Sequence, residues 1–184
     1  MRTTTTRTPG LIYTTIESAL GELLLTSRDG KLTGLYFADQ SHAPRLQPDW
    51  VRQDDAPIFA HTAQQLAEYA SGKRKTFDLS KLGLAGTPMQ VDVWMKILEI
   101  PFGKTITYSE LAERVGSPDA VRAVGGATGR NPISWIVPCH RVMGKSGALT
   151  GYAGGLARKT ALLDFESGKS AVLSAKVEQA LAVA

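Results

Sequence analysis

The run Thr107-Tyr108-Ser109-Glu110-Leu111-Ala112-Glu113-Arg114-Val115-Gly116-Ser117-Pro118 reads as one short helix, a turn and the start of a second helix. Thr107 and Glu110 have the spacing of a capping box, in which each side chain satisfies the other's free backbone N–H. Gly116 ends this helix near Val115. Ser117 is placed to cap the next one, and Pro118 suits its first turn. Two short helices joined by a tight glycine-containing turn form a helix-turn-helix, and this sets the fold class of the second half of the chain.

The second helix, expected from Pro118 to about Gly129, contains Arg122, Ala123, Gly125, Gly126 and Ala127 and has almost no side-chain bulk besides the arginine. Each interior glycine costs about 1 kcal/mol relative to alanine, so a close backbone approach must require them. Another helix or a nucleic-acid groove would both do so, and composition leaves the two open.

Downstream, Asn131-Pro132 leads into an apolar stretch that reads as extended, Ile133 to Val137, and reaches Pro138-Cys139-His140-Arg141-Val142. Glycines 144, 147, 151, 154 and 155 follow around Tyr152, enough to let a loop wrap a ligand or simply turn. A last helix is expected from Leu156 to about Glu166, with an alanine-rich tail over residues 169–184.

Upstream, three strands are expected at Leu11–Ile16, Glu22–Thr26 and Leu32–Phe37, with Asp29-Gly30 as a hairpin turn. Ala38 to Asp55 reads as a loop. From Pro57 a stripe of Phe59, Ala63, Leu66 and Ala70 predicts a helix with Asp54 or Asp55 as its cap and Gly72 as its stop. Phe77 to Leu84 suits a strand or an irregular crossing, and Pro88 opens a helix that ends before Pro101. The expected organisation is α+β: a flexible tail over residues 1–10, a small sheet-plus-helix domain over 11–85, a mainly helical domain over 86–168, and the tail.

The net charge of +4 is unevenly placed. Residues 1–103 hold eleven Lys/Arg and eleven Asp/Glu, whereas residues 104–169 hold nine and five, so the excess lies in the helix-turn-helix half. Such a distribution attracts a polyanion there. Apolar runs are broken within a few residues, which excludes a membrane span. No apolar leader follows Arg2 and Arg7, and with a single free thiol this leads to an expected cytoplasmic location.

Cys139 is the only cysteine among 184 residues. It can neither close an internal disulfide nor build a multi-thiolate metal site. If it has chemistry, that chemistry is nucleophilic, and a thiol near its ordinary pKa needs a base. His140 is adjacent, but in an extended segment neighbouring side chains point to opposite faces, so a bridging water is needed. A carboxylate from the last helix, Glu166 being the best placed, would fix the His140 tautomer. An inert buried cysteine remains the alternative from local chemistry.

Taken together, Gly86-Thr87-Pro88, Val93-Trp94, Ile100-Pro101-Phe102-Gly103, Thr107-Tyr108, Arg122-Ala123-Val124-Gly125, Asn131-Pro132, Pro138-Cys139-His140-Arg141-Val142, Gly151-Tyr152 and Glu166 resemble the O6-alkylguanine-DNA alkyltransferase family over about 80 residues. The resemblance implies a ribonuclease-H-like N-terminal domain and binding of double-stranded DNA containing O6-alkylguanine through the minor groove. It implies no cofactor and a monomer, and no metal is expected, because the cysteine and histidine ligands that build a structural zinc site in some relatives are absent and Cys139 is the only thiol. Tyr108, Ser109, Ser117, Arg122, Ala123, Gly126 and Lys145 would contact DNA, with Arg122 filling the gap of a flipped nucleotide. Ser134, Trp135, Val142, Tyr152, Ala153 and Gly154 would line the base pocket. Cys139, His140, Glu166, Tyr108 and Asn131 would carry a one-time alkyl transfer, with O4-alkylthymine a second candidate lesion. Ser134 stands where several members have proline, and Ala153 where others have serine.

Two other classes share part of these features. A helix-turn-helix regulator without chemistry would leave Pro138 to Val142 unexplained. A cysteine hydrolase would use Cys139 and His140 but needs a labile acyl intermediate and gives DNA no role.

Overall fold

Asp29 and Gly30 both adopt positive φ, 52° and 72°, the conformation that a two-residue hairpin with the natural strand twist requires. Around this turn the computed structural model, which describes residues 10–173, builds a four-stranded sheet. Its strands are β1 (Ile12–Ile16), β2 (Leu23–Arg28), β3 (Lys31–Phe37) and β4 (Val51–Arg52), in the order β3-β2-β1-β4. β1 and β2, and β2 and β3, run antiparallel; β4 joins β1 in parallel. The stretch expected to be a loop therefore contains a short strand, too brief and exposed to show period-2 alternation.

Helix α1 (Pro57–Ala70) turns Ile58, Phe59, Leu66 and Tyr69 inward. Its N-cap is Ala56, without a side-chain cap. Asp54, the expected cap, instead accepts from Thr14 and Arg52, because a strand was available to bind it. Residues 81–83 then lie along β3, pairing through Leu32 with Lys81 and Gly83.

The helical half holds α2 (Pro88–Leu98), a two-stranded parallel pair of β5 (Ile106–Thr107) and β6 (Val142–Met143), α3 (Tyr108–Arg114), α4 (Val121–Gly129) and α5 (Leu156–Glu166). Capping boxes start two helices, Thr87 with Gln90 and Thr107 with Glu110. The second helix of the helix-turn-helix begins later than expected. Pro118–Ala120 form a 3-10 turn, and Ser117 makes no side-chain cap. Trp94 joins α2 to α4 by donating its indole N–H to the Ala127 carbonyl at 2.9 Å.

One apolar core runs through both halves, from Leu20, Leu25, Leu35 and Phe37 through Tyr69, Val93 and Ile97 to Leu162, Phe165 and Leu173. Leu173 is buried, so the first residues beyond α5 pack on the body. The expected tails otherwise fall on residues 1–9 and 174–184, outside the described residues.

Candidate active site

The reactive turn hangs from the N-terminal sheet. Leu35 of β3 donates its N–H to Pro132 O at 2.8 Å and accepts from Ser134 N at 3.0 Å. Beyond this clamp the chain is coiled, contrary to the expected extended segment: Ile136 N bonds Ser134 O, Val137 N bonds Ile133 O, and Trp135 takes a positive φ of 73°. An apolar run reads as a strand by composition; here the prolines at 132 and 138 and the Asn131 side chain curl it. Cys139 then opens a 3-10 turn, Cys139–Arg141.

Asn131, itself buried, organises this turn. Its Oδ1 accepts from Ile133 N at 3.0 Å, and its Nδ2 donates to Val137 O at 2.8 Å and to the Cys139 sulfur at 3.2 Å. Burial pushes the Cys139 thiol above its ordinary pKa, against the opposing pull of the Asn131 amide and the Lys159 charge. The resting sulfur is a protonated thiol and needs a base.

A candidate base is adjacent. His140 is fully buried, with Nε2 2.6 Å from Glu166 Oε1 and Nδ1 without a protein partner. Burial lowers the His140 pKa and outweighs the attraction of Glu166. The ring is therefore neutral. With Nε2 donating to the carboxylate, Nδ1 carries the free lone pair. Burial of Glu166 would raise its pKa, but His140 and Arg141 override this and hold it down at about 2. Arg141 donates Nε to Oε2 at 2.9 Å and Nη2 to Oε1 at 3.0 Å, Gly103 N donates to Oε2 at 3.0 Å, and the Tyr69 hydroxyl donates to Oε1.

Above the sulfur lies an open cavity of about 270 Å³ lined by Tyr108, Gly125, Thr128, Gly129, Cys139, Gly151, Tyr152 and Ala153, with Ser41 and His42 from the N-terminal half. Tyr108 stands half-buried at its wall, and burial raises its pKa, which keeps the phenol a neutral donor. Four expected lining residues are placed elsewhere. Ser134 is buried with its hydroxyl toward Gln40; Trp135 packs edge-on to Tyr69 at 6.0 Å and borders a separate groove; Val142 is enclosed in β6; Gly154 is buried against Phe37 and Tyr152. The coiling after Ser134 turns the first two away. Lys159 fixes the glycine-rich loop by donating to Val142 O at 2.7 Å and Thr150 O at 2.8 Å.

Tyr69, Ser41, His42 and Lys159 carry no signal of their own in the sequence. Tyr69 is one more apolar position on α1, and the 41–42 turn follows a strand with no motif around it.

On the helix-turn-helix, Ser109, Arg122 and Ala123 are exposed and Ser117 and Gly126 half-exposed, and Lys145 is exposed in the turn after β6. A Cβ at Gly125 would meet Tyr108 only at 3.8 Å, and one at Gly129 would meet nothing within 4 Å. Internal packing does not demand these two glycines, both of which border the cavity above the Cys139 sulfur, whereas a Cβ at Gly126 would press on the Arg130 side chain at 3.2 Å. Among the described residues no group of three His, Cys, Asp or Glu could hold a metal ion, and no helix is long and apolar enough to cross a membrane.

Two family models match the chain, the 6-O-methylguanine DNA methyltransferase ribonuclease-like domain over residues 11–82 and the DNA-binding domain of the same family over residues 88–168. The chain belongs to the methylated-DNA–protein-cysteine methyltransferase family. A member from Mycolicibacterium paratuberculosis is 46% identical over 154 residues, 84% of this chain and 91% of that one. One from Methanosarcina barkeri is 45% identical over 156 residues, 85% and 97% of the two chains. The crystal structure of Mycobacterium tuberculosis OGT in complex with DNA superposes with a TM-score of 0.79 at 43% identity, covering 86% of this chain and 94% of that one. The α+β architecture, a ribonuclease-like sheet domain followed by a helical DNA-binding domain, is that of this methyltransferase family.

Proposed function

We propose that this protein repairs O6-alkylguanine in double-stranded DNA by flipping the damaged nucleotide into the cavity above Cys139 and taking the alkyl group onto that sulfur once and irreversibly. Family membership carries the repair of O6-methylguanine by methyl transfer to a cysteine, and Cys139 is the only cysteine in the chain. The observation that carries the mechanism is the His140 ring, held at Nε2 by Glu166 and free at Nδ1.

Nδ1 takes the thiol proton through a bridging water, while Glu166 steadies the imidazolium that forms. The thiolate attacks the alkyl carbon in line. A C–S bond forms, the C–O6 bond breaks and guanine departs with the electron pair. Tyr108 donates a hydrogen bond to the purine as charge develops on it. The product thioether has no easy leaving step, so each molecule acts once.

The O6-alkyl carbon of a stacked guanine lies inside the duplex, out of reach of a buried sulfur, and extrusion is required. Arg122, exposed and without an ion pair among the described residues, would fill the vacated stack, and the bare face of α4 with Ala123 and Gly126 lets the helix approach a minor groove. Ser109, Ser117 and Lys145 would meet the backbone. The protein acts as a cytoplasmic monomer of two units, residues 11–85 and 86–168. Intact mass after mixing with a duplex carrying O6-methylguanine tests this. One methyl per protein is expected, on the peptide with Cys139 and absent in C139A; an unmodified protein that still binds DNA would leave only a regulator, and multiple turnovers on an ester only a hydrolase.

A further inference from the structure

We propose that Tyr69, supplied by the N-terminal helix α1, is a positioning residue for alkyl transfer, its hydroxyl holding the Glu166 carboxylate in the orientation that fixes the His140 ring. This rests on the reading above, in which His140 activates Cys139.

The two residues lie 97 positions apart, yet the Tyr69 hydroxyl donates to Oε1 of Glu166. This is the oxygen that faces His140 Nε2 at 2.6 Å. The ring of Tyr69 is fully buried and fixed on four sides: stacked on Phe77 at 5.1 Å, edge-on to Phe102 at 5.7 Å and to Trp135 at 6.0 Å, and tilted against Phe165 at 5.7 Å. Such a ring has no rotamer freedom with which to lose its partner. A phenylalanine would fill the same space, so core packing alone does not ask for a hydroxyl.

Glu166 also does not need Tyr69 merely to be satisfied. Arg141 grips both oxygens, and Gly103 N occupies Oε2. What Tyr69 adds is confined to Oε1, the oxygen that holds the imidazole. A donor there fixes the plane of the carboxylate and disperses its charge, which limits how strongly Glu166 draws a proton onto His140. The other groups that bear on the imidazole act in known directions. Arg141 from the same turn and Lys159 from α5 oppose its protonation, and Tyr152 meets the ring edge-on at 6.4 Å.

Without the hydroxyl, Oε1 becomes more basic, His140 keeps a proton to higher pH, and the acid limb of the reaction moves up. The test uses the full chain with Y69F and a variant carrying 3-fluorotyrosine at position 69, a stronger donor of the same shape. Methyl-transfer rate from an O6-methylguanine duplex is followed against pH, and the His140 titration is followed by imidazole 15N resonances, simple to assign with three histidines in the chain. Y69F is expected to slow transfer about tenfold on the acid side and to raise the His140 titration, and 3-fluorotyrosine to lower it. The Y69F/E166Q double variant should be no slower than E166Q alone, since Tyr69 acts through Glu166. Wild-type rate and titration in Y69F, or multiplicative losses in the double variant, would overturn the proposal. E166Q reacting like the wild type would instead overturn the underlying role of Glu166, while the titration of His140 in Y69F still reports whether the hydroxyl tunes the ring.

Discussion

Asn131 and Cys139 are joined directly: the same amide nitrogen that ties the turn at Val137 points a proton at the Cys139 sulfur from 3.2 Å. The end of the helix-turn-helix and the nucleophile are thus one hydrogen-bonded unit. A donor at this distance favours thiolate over thiol, and it opposes the burial that otherwise holds the proton on sulfur.

Replacing Asn131 separates these roles. N131D keeps an acceptor for Ile133 N but sets a negative charge beside the sulfur, and transfer is expected to slow by about a hundredfold or more. N131A leaves Ile133 N without a partner and takes one of the two donors from Val137 O, the other being Cys139 N, and should cost roughly 1–3 kcal/mol of stability as well. Single-turnover rates and urea unfolding measure the two effects.

Acid should destabilise the protein in two windows. His140 has its pKa lowered below 6.5 by burial, so below that pH the unfolded chain binds a proton the folded one refuses, and stability falls. Glu166, held at about 2 against an ordinary 4.5, gives stability that is whole above pH 4.5 and lost as the pH drops towards 2. That displacement is worth roughly 3 kcal/mol at neutral pH. Unfolding free energy measured from pH 8 to pH 3 should decline throughout, and E166Q should lose the lower window.

G125A should uncouple stability from repair. The added methyl meets Tyr108 at an ordinary 3.8 Å, and helix propensity raises stability by up to about 1 kcal/mol. The same methyl enters the cavity above Cys139, which Gly125 lines. Transfer is expected to fall from duplex DNA and from free O6-methylguanine base alike.

R122A should separate the two substrates. Removing the side chain proposed to fill the place of the flipped nucleotide should slow duplex repair at least tenfold and leave the free-base reaction untouched. Equal slowing on both substrates would remove Arg122 from the flipping step.

Arg158 spans the halves of the molecule, donating to Leu20 O at 2.7 Å and to Asp39 at 2.8 Å and lying 4.5 Å over the Phe37 ring. R158A should lower stability by about 2–4 kcal/mol, read as a fall in unfolding midpoint, because it exposes buried acceptors as well as removing an ion pair.

Much of this was legible beforehand because the signals are local. Asp29-Gly30 demands positive φ, Thr107 and Glu110 cap one another, and Gly116 breaks a helix whatever surrounds it. Cys139, His140 and Glu166 could be grouped beforehand because a lone cysteine beside a histidine asks for a carboxylate, and His140 and Glu166 do meet at 2.6 Å. What stayed hidden depends on contacts distant in sequence. Asp54 left its expected cap for Thr14, forty residues away. Ser134 and Trp135 turned away from the cavity because Leu35 holds the chain before them. Tyr69 looked like any core residue, since nothing near it marks a hydroxyl aimed at residue 166.

The pairing of β3 with the segment around Ile133 has a practical meaning. Cleavage in the connection between residues 83 and 87 would cut the polypeptide without freeing either piece, because Leu35 and the common core still grip the reactive turn. Such a nicked molecule should migrate as one particle and still accept its methyl group. The two pieces should part only in denaturant, so the cut would show on a denaturing gel and not in the native particle.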